Sequence, residues 1–322
     1  MTASLPRYEP MLAVPWKEPF DDPGWSFEVK WDGFRVLVES DGGRTVLRSR
    51  RGHDLSASFP ELDGPGIPDR SVVDGEIVVL DEGGVPDFGA LQTRHGAAGA
   101  TARRRAASTP ATIIAFDILH VSGHPVVELP LEERRELLIE AVGHAFQLSD
   151  PVPEHGIALF RAAAARGLEG IVGKRAGSPY RPGRRSPDWR KIAHRLRIRA
   201  VVGGYTPGER GRSDTFGALQ LGLFEGALLR YVGAVGTGFD DRSLREIKKA
   251  LDAARRADSP FHEDPAVPRG TVFVEPALVA LVEAKSWTRA GRLRAPSFTG
   301  FTDDPAAAVT WEAEGPSPGG DS

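Results

Sequence analysis

The sequence predicts an α+β protein in two domains. The larger, residues 1–196, is mainly antiparallel sheet with a few helices. The smaller, residues 197–311, is a β-barrel of OB type, and a disordered tail follows at 312–322. Three observations carry this expectation. The chain's 322 residues exceed what one hydrophobic core usually holds. Short β-branched runs outnumber helical stretches along its whole length. Near residue 197 the texture changes to Gly-rich turns between five or so short strands and one helix, which suits a small barrel.

Trp25, Phe27, Val29 and Trp31 alternate with Ser26, Glu28, Lys30 and Asp32, the period-2 pattern of a half-buried strand. The alternation resumes after Gly33 through Phe34, Val36 and Val38. Val72 to Leu80 and Thr112 to Leu119 are compact apolar runs that read as buried strands. Two helices interrupt them, at about Leu131 to Val142 and Ile157 to Arg166, the second stopped by Gly167. A strand follows from Glu169 to Lys174. In the second domain strands are expected at Ile198 to Tyr205, Leu219 to Phe224, Leu228 to Val232, Thr271 to Val274 and Leu278 to Trp287. Its helix spans about Ser243 to Ala254, with Leu244, Ile247 and Leu251 on one face. The tail from Glu312 is Gly, Pro, Ser and acid.

Composition removes several function classes. No apolar run reaches the roughly 18–20 residues that span a bilayer. The start MTASLPRYEPMLAV lacks the basic-then-apolar pattern of a secretion signal. There is no cysteine, so disulfides and thiolate zinc sites are excluded, and the histidines show no HExxH spacing. A cytoplasmic location fits. The net charge of −3 does not point to nucleic acid, but binding to phosphate depends on where charge sits. From Lys174 to Arg199 ten cations face one acid, Asp188, and Arg103, Arg104 and Arg105 form a smaller cluster.

The chemistry-bearing segments begin at Glu28-Val29-Lys30-Trp31-Asp32. On a strand this places Glu28, Lys30 and Asp32 on one face, roughly 7 Å apart in turn; a lysine between acids also suits a plain surface ladder. Gly33 and Arg35 complete K-x-D-G-x-R, here KWDGFR. Further on come Ser49-Arg50-Arg51-Gly52, Val73-Asp74-Gly75-Glu76-Ile77, Ala115-Phe116-Asp117, Glu169-Gly170-Ile171-Val172 and Trp189-Arg190-Lys191. In order and spacing the set resembles the motifs of the covalent nucleotidyltransferase superfamily. More narrowly, it is similar to the ligase domain of bacterial ATP-dependent DNA ligases of the end-joining type. GLEGIVGKRAGSPYRPGRRSPDW and YVGAVGTGF strengthen that narrower match, and the resemblance covers about residues 9 to 310.

The resemblance implies a nucleotidyltransferase (ATP-grasp-like) domain followed by an OB-fold, with a hinge near residues 195–200. It implies that ATP is the substrate that charges Lys30 with AMP, that AMP then moves to a 5′-phosphate, and that a 3′-hydroxyl displaces it. Lys30, Asp32 and Lys191 are the expected catalytic residues, Lys191 reaching the α-phosphate. Glu28 is expected to accept from the adenine amino group and Phe116 to stack on the purine. Arg35 and Glu76 are expected at the ribose and Arg50 at phosphates. Glu169, with Glu76, is expected to hold Mg2+ or Mn2+. In isolation Phe116 also reads as core, Asp74 as structural and Glu169 as a loop acid. A lysine attacks phosphorus only as the neutral amine, and burial and neighbouring cations favour that form.

Two departures from the family pattern stand out. The fifth motif usually carries a second lysine where this chain has Ala193, with His194 and Arg195 as the nearby substitutes. The pattern Gly-x-Arg-x-Asp-Lys reads Gly300-Phe301-Thr302-Asp303-Asp304-Pro305, so both cations are lost, at Thr302 and Pro305. Slow self-adenylylation is therefore expected. No DNA-encircling domain is expected before the core, since the first motif begins by residue 30. The partners implied are nicked or broken double-stranded DNA and an end-binding recruiter of the Ku type, with no membrane, a monomeric chain and a nucleoid-associated location. Two alternatives stay open on residues alone: a nick- or end-binding module with impaired catalysis, and an RNA ligase or capping guanylyltransferase of the same superfamily.

Overall fold

The structure, a computed structural model, describes residues 5–64, 66–143, 146–208, 215–262, 266–288 and 290–316. The chain divides into two compact units that part between His194 and Arg195.

The first unit holds two sheets. In chain order its strands are β1 (Leu12–Pro15), β2 (Asp22–Val29), β3 (Phe34–Asp41), β4 (Arg44–Ser49), β5 (Ser71–Val78), β6 (Thr112–Val121), β7 (His124–Pro125), β8 (Gln147–Leu148), β9 (Val152–Glu154), β10 (Gly170–Arg175) and β11 (Arg185–Ala193). One sheet has the order β1-β11-β10-β2-β9 and the other β4-β3-β5-β6-β7, with β8 beside β6. Four helices accompany them: α1 (Phe88–Arg94), α2 (Gly99–Ser108), α3 (Leu131–Val142) and α4 (Gly156–Ala165).

Side-chain alternation builds the layers. On β3, Val36 and Val38 join a core with Ile113 and Ala115 of β6 and Leu138 and Val142 of α3. Leu37, between them, points the other way, into a cluster with Phe116 of β6 and Trp189 of β11. That cluster draws on both sheets, so it marks where they face one another. Phe27, Ile171 and Ile192 cover the far side of the first sheet together with Ala163 of α4. The layers are thus helix, sheet, sheet, helix.

Three expectations change here. The strand expected to run through Asp32 stops at Val29. Lys30 N still donates to Gly170 O at 2.9 Å, but residues 30–33 then cross from one sheet to the other, so Glu28, Lys30 and Asp32 do not share a flat strand face. Second, α1 and α2 were not anticipated. Helix α1 is seven residues long, capped by Asp87, whose Oδ1 accepts from Ala90 N at 2.8 Å. Helix α2 buries only Ala102 and so carries no apolar stripe for periodicity to find. Third, the stretch expected to be a hinge, residues 195–200, is mostly strand: only His194 and Arg195 lie between β11 and the next strand, and residues 196–200 are paired with residues 280–284.

The second unit contains β12 (Leu196–Pro207), β13 (Phe216–Glu225), β14 (Leu228–Val235), α5 (Asp241–Ala253), β15 (Val272–Phe273), β16 (Val279–Ala284), β17 (Ser286–Trp287), β18 (Leu293–Arg294), β19 (Ser297–Thr302) and α6 (Trp311–Glu314). The main sheet runs β14-β13-β12-β16-β19, antiparallel throughout, with β15 also on β12. Three consecutive strands, a helix and a return beside the first strand give OB-type connectivity. Helix α5 opens with a capping box between Asp240 and Ser243 and buries Leu244, Ile247 and Leu251, the face read from sequence. The single strand expected over Leu278 to Trp287 is broken at Lys285 into β16 and β17, which pair with different partners.

The disordered tail was placed to begin at 312, and this is corrected for its first residues. Thr310 caps α6 by accepting from Ala313 N. Glu314 is held by the Arg199 guanidinium at 2.6 Å, and Arg230 lies 3.7 Å from the Trp311 ring centre. Residues 317–322 lie outside the described residues.

Candidate active site

A cleft between the two sheets of the first unit is lined by Glu28, Lys30, Arg35, Arg50, Glu76, Phe116 and Lys191, seven of the residues singled out from sequence. The connector after β2 supplies Lys30. Its tight passage explains Gly33: a Cβ there would sit 2.1 Å from Ile77 O. Gly170, at φ +140° and with Ile192 O 2.1 Å from where a Cβ would be, lets β10 start directly against β11. Glu169, just before Gly170, is not among the cleft-lining residues but reaches Lys30, its Oε2 lying 2.5 Å from Lys30 Nζ.

One end of the cleft is cationic. Burial lowers the Lys191 pKa, and the neighbouring Lys30, Arg185 and Arg50 lower it further against the opposing pull of Glu169. Four cations converging on one pocket wall form a site for a polyanion such as a nucleotide's phosphates. Glu76 is pushed up to about 8, chiefly by burial, with Arg35 and Lys30 opposing the rise and Asp74 and Glu169 adding to it.

The other end is aromatic and apolar. Phe116 of β6 and Val172 of β10 come from opposite sheets and line the same cleft, a separation suited to a flat ring. At its back Lys174, 1% exposed, pairs with Glu28 Oε1 at 2.7 Å and donates to Phe116 O at 2.9 Å. Its amine lies 5.0 Å from the Phe116 ring centre and 4.7 Å from that of Trp189. Arg35 is gripped in a bidentate pair by Asp74, both contacts at 2.6 Å, and lies 4.4 Å from the Phe116 ring centre. Tyr180 completes this buttress, donating to Asp74 Oδ2 at 2.5 Å and accepting from Met11 N at 2.7 Å. Asp74, read from sequence as structural, acts on the site by holding Arg35.

Asp32 is half-buried on the connector and does not line the cleft. His194 does not substitute for the missing second lysine. Its ring packs 6.2 Å from that of Phe160 on α4, and its backbone N donates to Glu169 O. Ala193 is paired with Gly170 and brings no charge. Sequence reading missed Lys174, Arg185 and Trp189 as cleft residues. A lysine inside the apolar strand of GIVGKR was a signal for Lys174, since a buried lysine needs a partner. Arg185 was indistinguishable within its basic run.

Glu169 and Glu76 fit a divalent cation in part. Both act on Lys30, and a cation would offset the burial that keeps Glu76 protonated. Among the described residues no cluster of three or more His, Cys, Asp or Glu could hold a metal. The donor set suits a hard ion that takes its remaining ligands from phosphate oxygens and water.

Residues 10–193 match the ATP dependent DNA ligase domain, and residues 212–305 match the ATP dependent DNA ligase C terminal region. The chain belongs to the ATP-dependent DNA ligase family. The multifunctional non-homologous end joining protein LigD of Mycobacterium bovis is 39% identical over 289 residues, 87% of this chain and 36% of that protein. LigD of Pseudomonas aeruginosa is 37% identical over 309 residues, 91% of this chain and again 36% of its own length. The chain thus spans little more than a third of these relatives. A solved structure of mycobacterial DNA ligase D complexed with ATP and MES matches at 33% identity and a TM-score of 0.53, covering 94% of this chain and 97% of that one. The ligase family's architecture, a nucleotidyltransferase domain followed by an OB-fold, is the fold class expected from sequence. Among the described residues no helix is long and apolar enough to cross a membrane.

Proposed function

We propose that the chain is an ATP-dependent DNA ligase of the end-joining type that seals nicks or broken ends through AMP carried on Lys30. One observation carries the reading: the Lys30 amine meets Glu169 at 2.5 Å in a cleft with a flat apolar slot at one end and Arg50, Arg185 and Lys191 at the other. A purine fits the slot, and a triphosphate fits the cations.

The residues then divide the work. Lys30 gives its proton to Glu169 and attacks the α-phosphorus; a P–N bond forms, and the P–O bond to pyrophosphate breaks. Lys191, Arg185 and Arg50 stabilise the charge that builds on the transferring phosphoryl group. Glu28, fixed by Lys174, accepts from the adenine amino group, and Arg35 and Glu76 orient the ribose. When their carboxyls are ionised, Glu169 and Glu76 would hold a divalent cation, which would supply further charge neutralisation on the phosphates. Next, a 5′-phosphate oxygen displaces the Lys30 nitrogen, which takes back a proton. Last, the 3′-hydroxyl attacks the activated 5′-phosphorus and AMP leaves.

The names of the relatives support broken DNA as the substrate. A Ku-type recruiter, a monomeric chain, a nucleoid-associated cytoplasmic location and a moving joint at His194–Arg195 belong to the same reading. Ala193, Thr302 and Pro305 support a slow first step, because a lost phosphate contact commonly costs a few kcal/mol, roughly a hundredfold in rate. The test compares sealing of a nicked duplex from ATP with sealing of a nick that already carries AMP. The expected result is slow sealing of the first and fast sealing of the second, with Thr302→Arg/Pro305→Lys accelerating only the first. Sealing of neither substrate would sink the ligase reading in favour of a binding module.

A further inference from the structure

We propose that the turn Arg181-Pro182-Gly183-Arg184, on the rim of the Lys30 cleft, is a second phosphate-binding surface that holds the backbone of the nicked duplex; this rests on the ligase reading. Pro182 and Gly183, the latter at φ +68°, take the central positions of a type II turn, closed by Arg184 N donating to Arg181 O at 3.2 Å. Such a turn sets its first and last residues within roughly 7 Å of each other. Both arginine side chains are exposed, and among the described residues neither forms an ion pair. Asp188, the one acid between Lys174 and Arg199, is taken by Arg175 at 3.3 Å. Glu9 rests its carboxylate against Gly183 and pairs with neither arginine. Two unpaired like charges held at the ends of one turn repel each other, and a polyanionic partner removes that repulsion.

The position of the turn selects the partner. Tyr180, just before it, is buried and bonded to the Asp74 that grips Arg35. Arg185, just after it, lines the cleft. Met11 and Leu12, also cleft residues, brace it from the side: Arg181 N donates to Met11 Sδ at 3.1 Å and Leu12 N donates to Arg184 O at 2.8 Å. Arg181 and Arg184 do not line the cleft themselves, so they are placed for phosphates outside it rather than for those of ATP. Strand β1 measures how far outside. Leu12 pairs with Arg185 and Pro15 with Lys191, which separates the turn from Lys191 by roughly 10 Å along the rim. With about 3.4 Å of axial rise per nucleotide, this is about three nucleotides of one strand. A nick whose 5′-phosphate reaches Lys30 therefore carries flanking backbone over the turn. Backbone contacts of this kind position DNA without reading sequence.

The experiment titrates a nicked duplex with an unsealable 3′ end against the full chain and its R181Q/R184Q and R181K/R184K variants, at several salt concentrations. R103Q/R104Q is the control for net charge. It removes two exposed cations from α2, which follows α1 on the outer side of the β3-β5-β6 sheet, away from the cleft. Two lost phosphate contacts predict a loss of affinity of roughly tenfold or more for R181Q/R184Q near 0.1 M salt, and a log–log salt slope shallower by about 2. The lysine variant and the α2 control should stay near wild type. Neutral methylphosphonates placed about two to four nucleotides from the nick should weaken wild-type binding and leave R181Q/R184Q unchanged. Wild-type affinity and slope in R181Q/R184Q, an equal loss in the α2 control, or the same methylphosphonate loss in wild type and R181Q/R184Q overturns the proposal. Self-labelling of the wild-type chain with ATP is scored alongside. A failure there bears on the ligase reading, whereas the binding result is read independently of it.

Discussion

Lys30 and Glu169 form a contact that must be broken for chemistry. The 2.5 Å pair turns the Lys30 amine toward a carboxylate rather than toward a phosphate, so it has to open before the amine can reach phosphorus. The neighbouring carboxyl, Glu76, gives this arrangement a measurable pH dependence. Its pKa is raised by burial from the ordinary 4.5 to about 8. Between those values the folded chain holds a proton that the unfolded chain releases, so its contribution to stability is full below about pH 4.5 and lost as pH rises through about 8. Glu76→Gln stays neutral and escapes this loss. Thermal unfolding should show its stability relative to wild type growing by about 4 kcal/mol at most from pH 5 to pH 8.5. A difference that is flat with pH would show that Glu76 titrates normally. At this scale much of the site was legible, because Glu28, Lys30, Arg35, Arg50, Glu76, Phe116 and Lys191 sit in ordered short motifs. Lys174, Arg185 and the holding role of Asp74 were not, because they follow from contacts between strands far apart in sequence.

Elements place those residues, and their tightest point is the crossing from β2 to β3. A methyl group on Gly33 would meet Ile77 O at 2.1 Å and Glu76 Cγ at 2.9 Å. The sheets cannot accept it without moving Lys30 or β5. Gly33→Ala should therefore lower stability by about 2–4 kcal/mol and reduce charging with AMP. Gly300→Ala, where the added carbon meets nothing within 4 Å, should leave the unfolding temperature nearly unchanged. Equal midpoints for the two variants would refute the steric account. Strands and long helices were readable where an apolar pattern repeats: α3 spans Leu131–Val142 as expected, and α5 starts only two residues before its expected first residue. Helix α2 escaped because arginine and alanine leave no stripe, and the end of β2 at Val29 is set by the sheet-to-sheet crossing rather than by local preference.

At the scale of the whole chain, two units join through His194 and Arg195. The change of texture near residue 197 was visible in sequence because Gly-rich turns mark the second unit. The ordered start of the last segment was not, because α6 depends on Arg199 and Arg230, more than eighty residues upstream. The first unit carries every residue proposed to hold AMP, while Thr302 and Pro305, where the family's cations are missing, lie in the second. Charging and sealing should therefore separate experimentally, with charging as the weaker step. The most direct test of the account is covalent labelling: the chain and its Lys30→Ala variant are incubated with α-labelled ATP and Mg2+ or Mn2+, digested and mapped. The account predicts a label on the peptide containing Lys30, absent from the variant and discharged by nicked DNA. A label on another residue, or one that survives in Lys30→Ala, would contradict it.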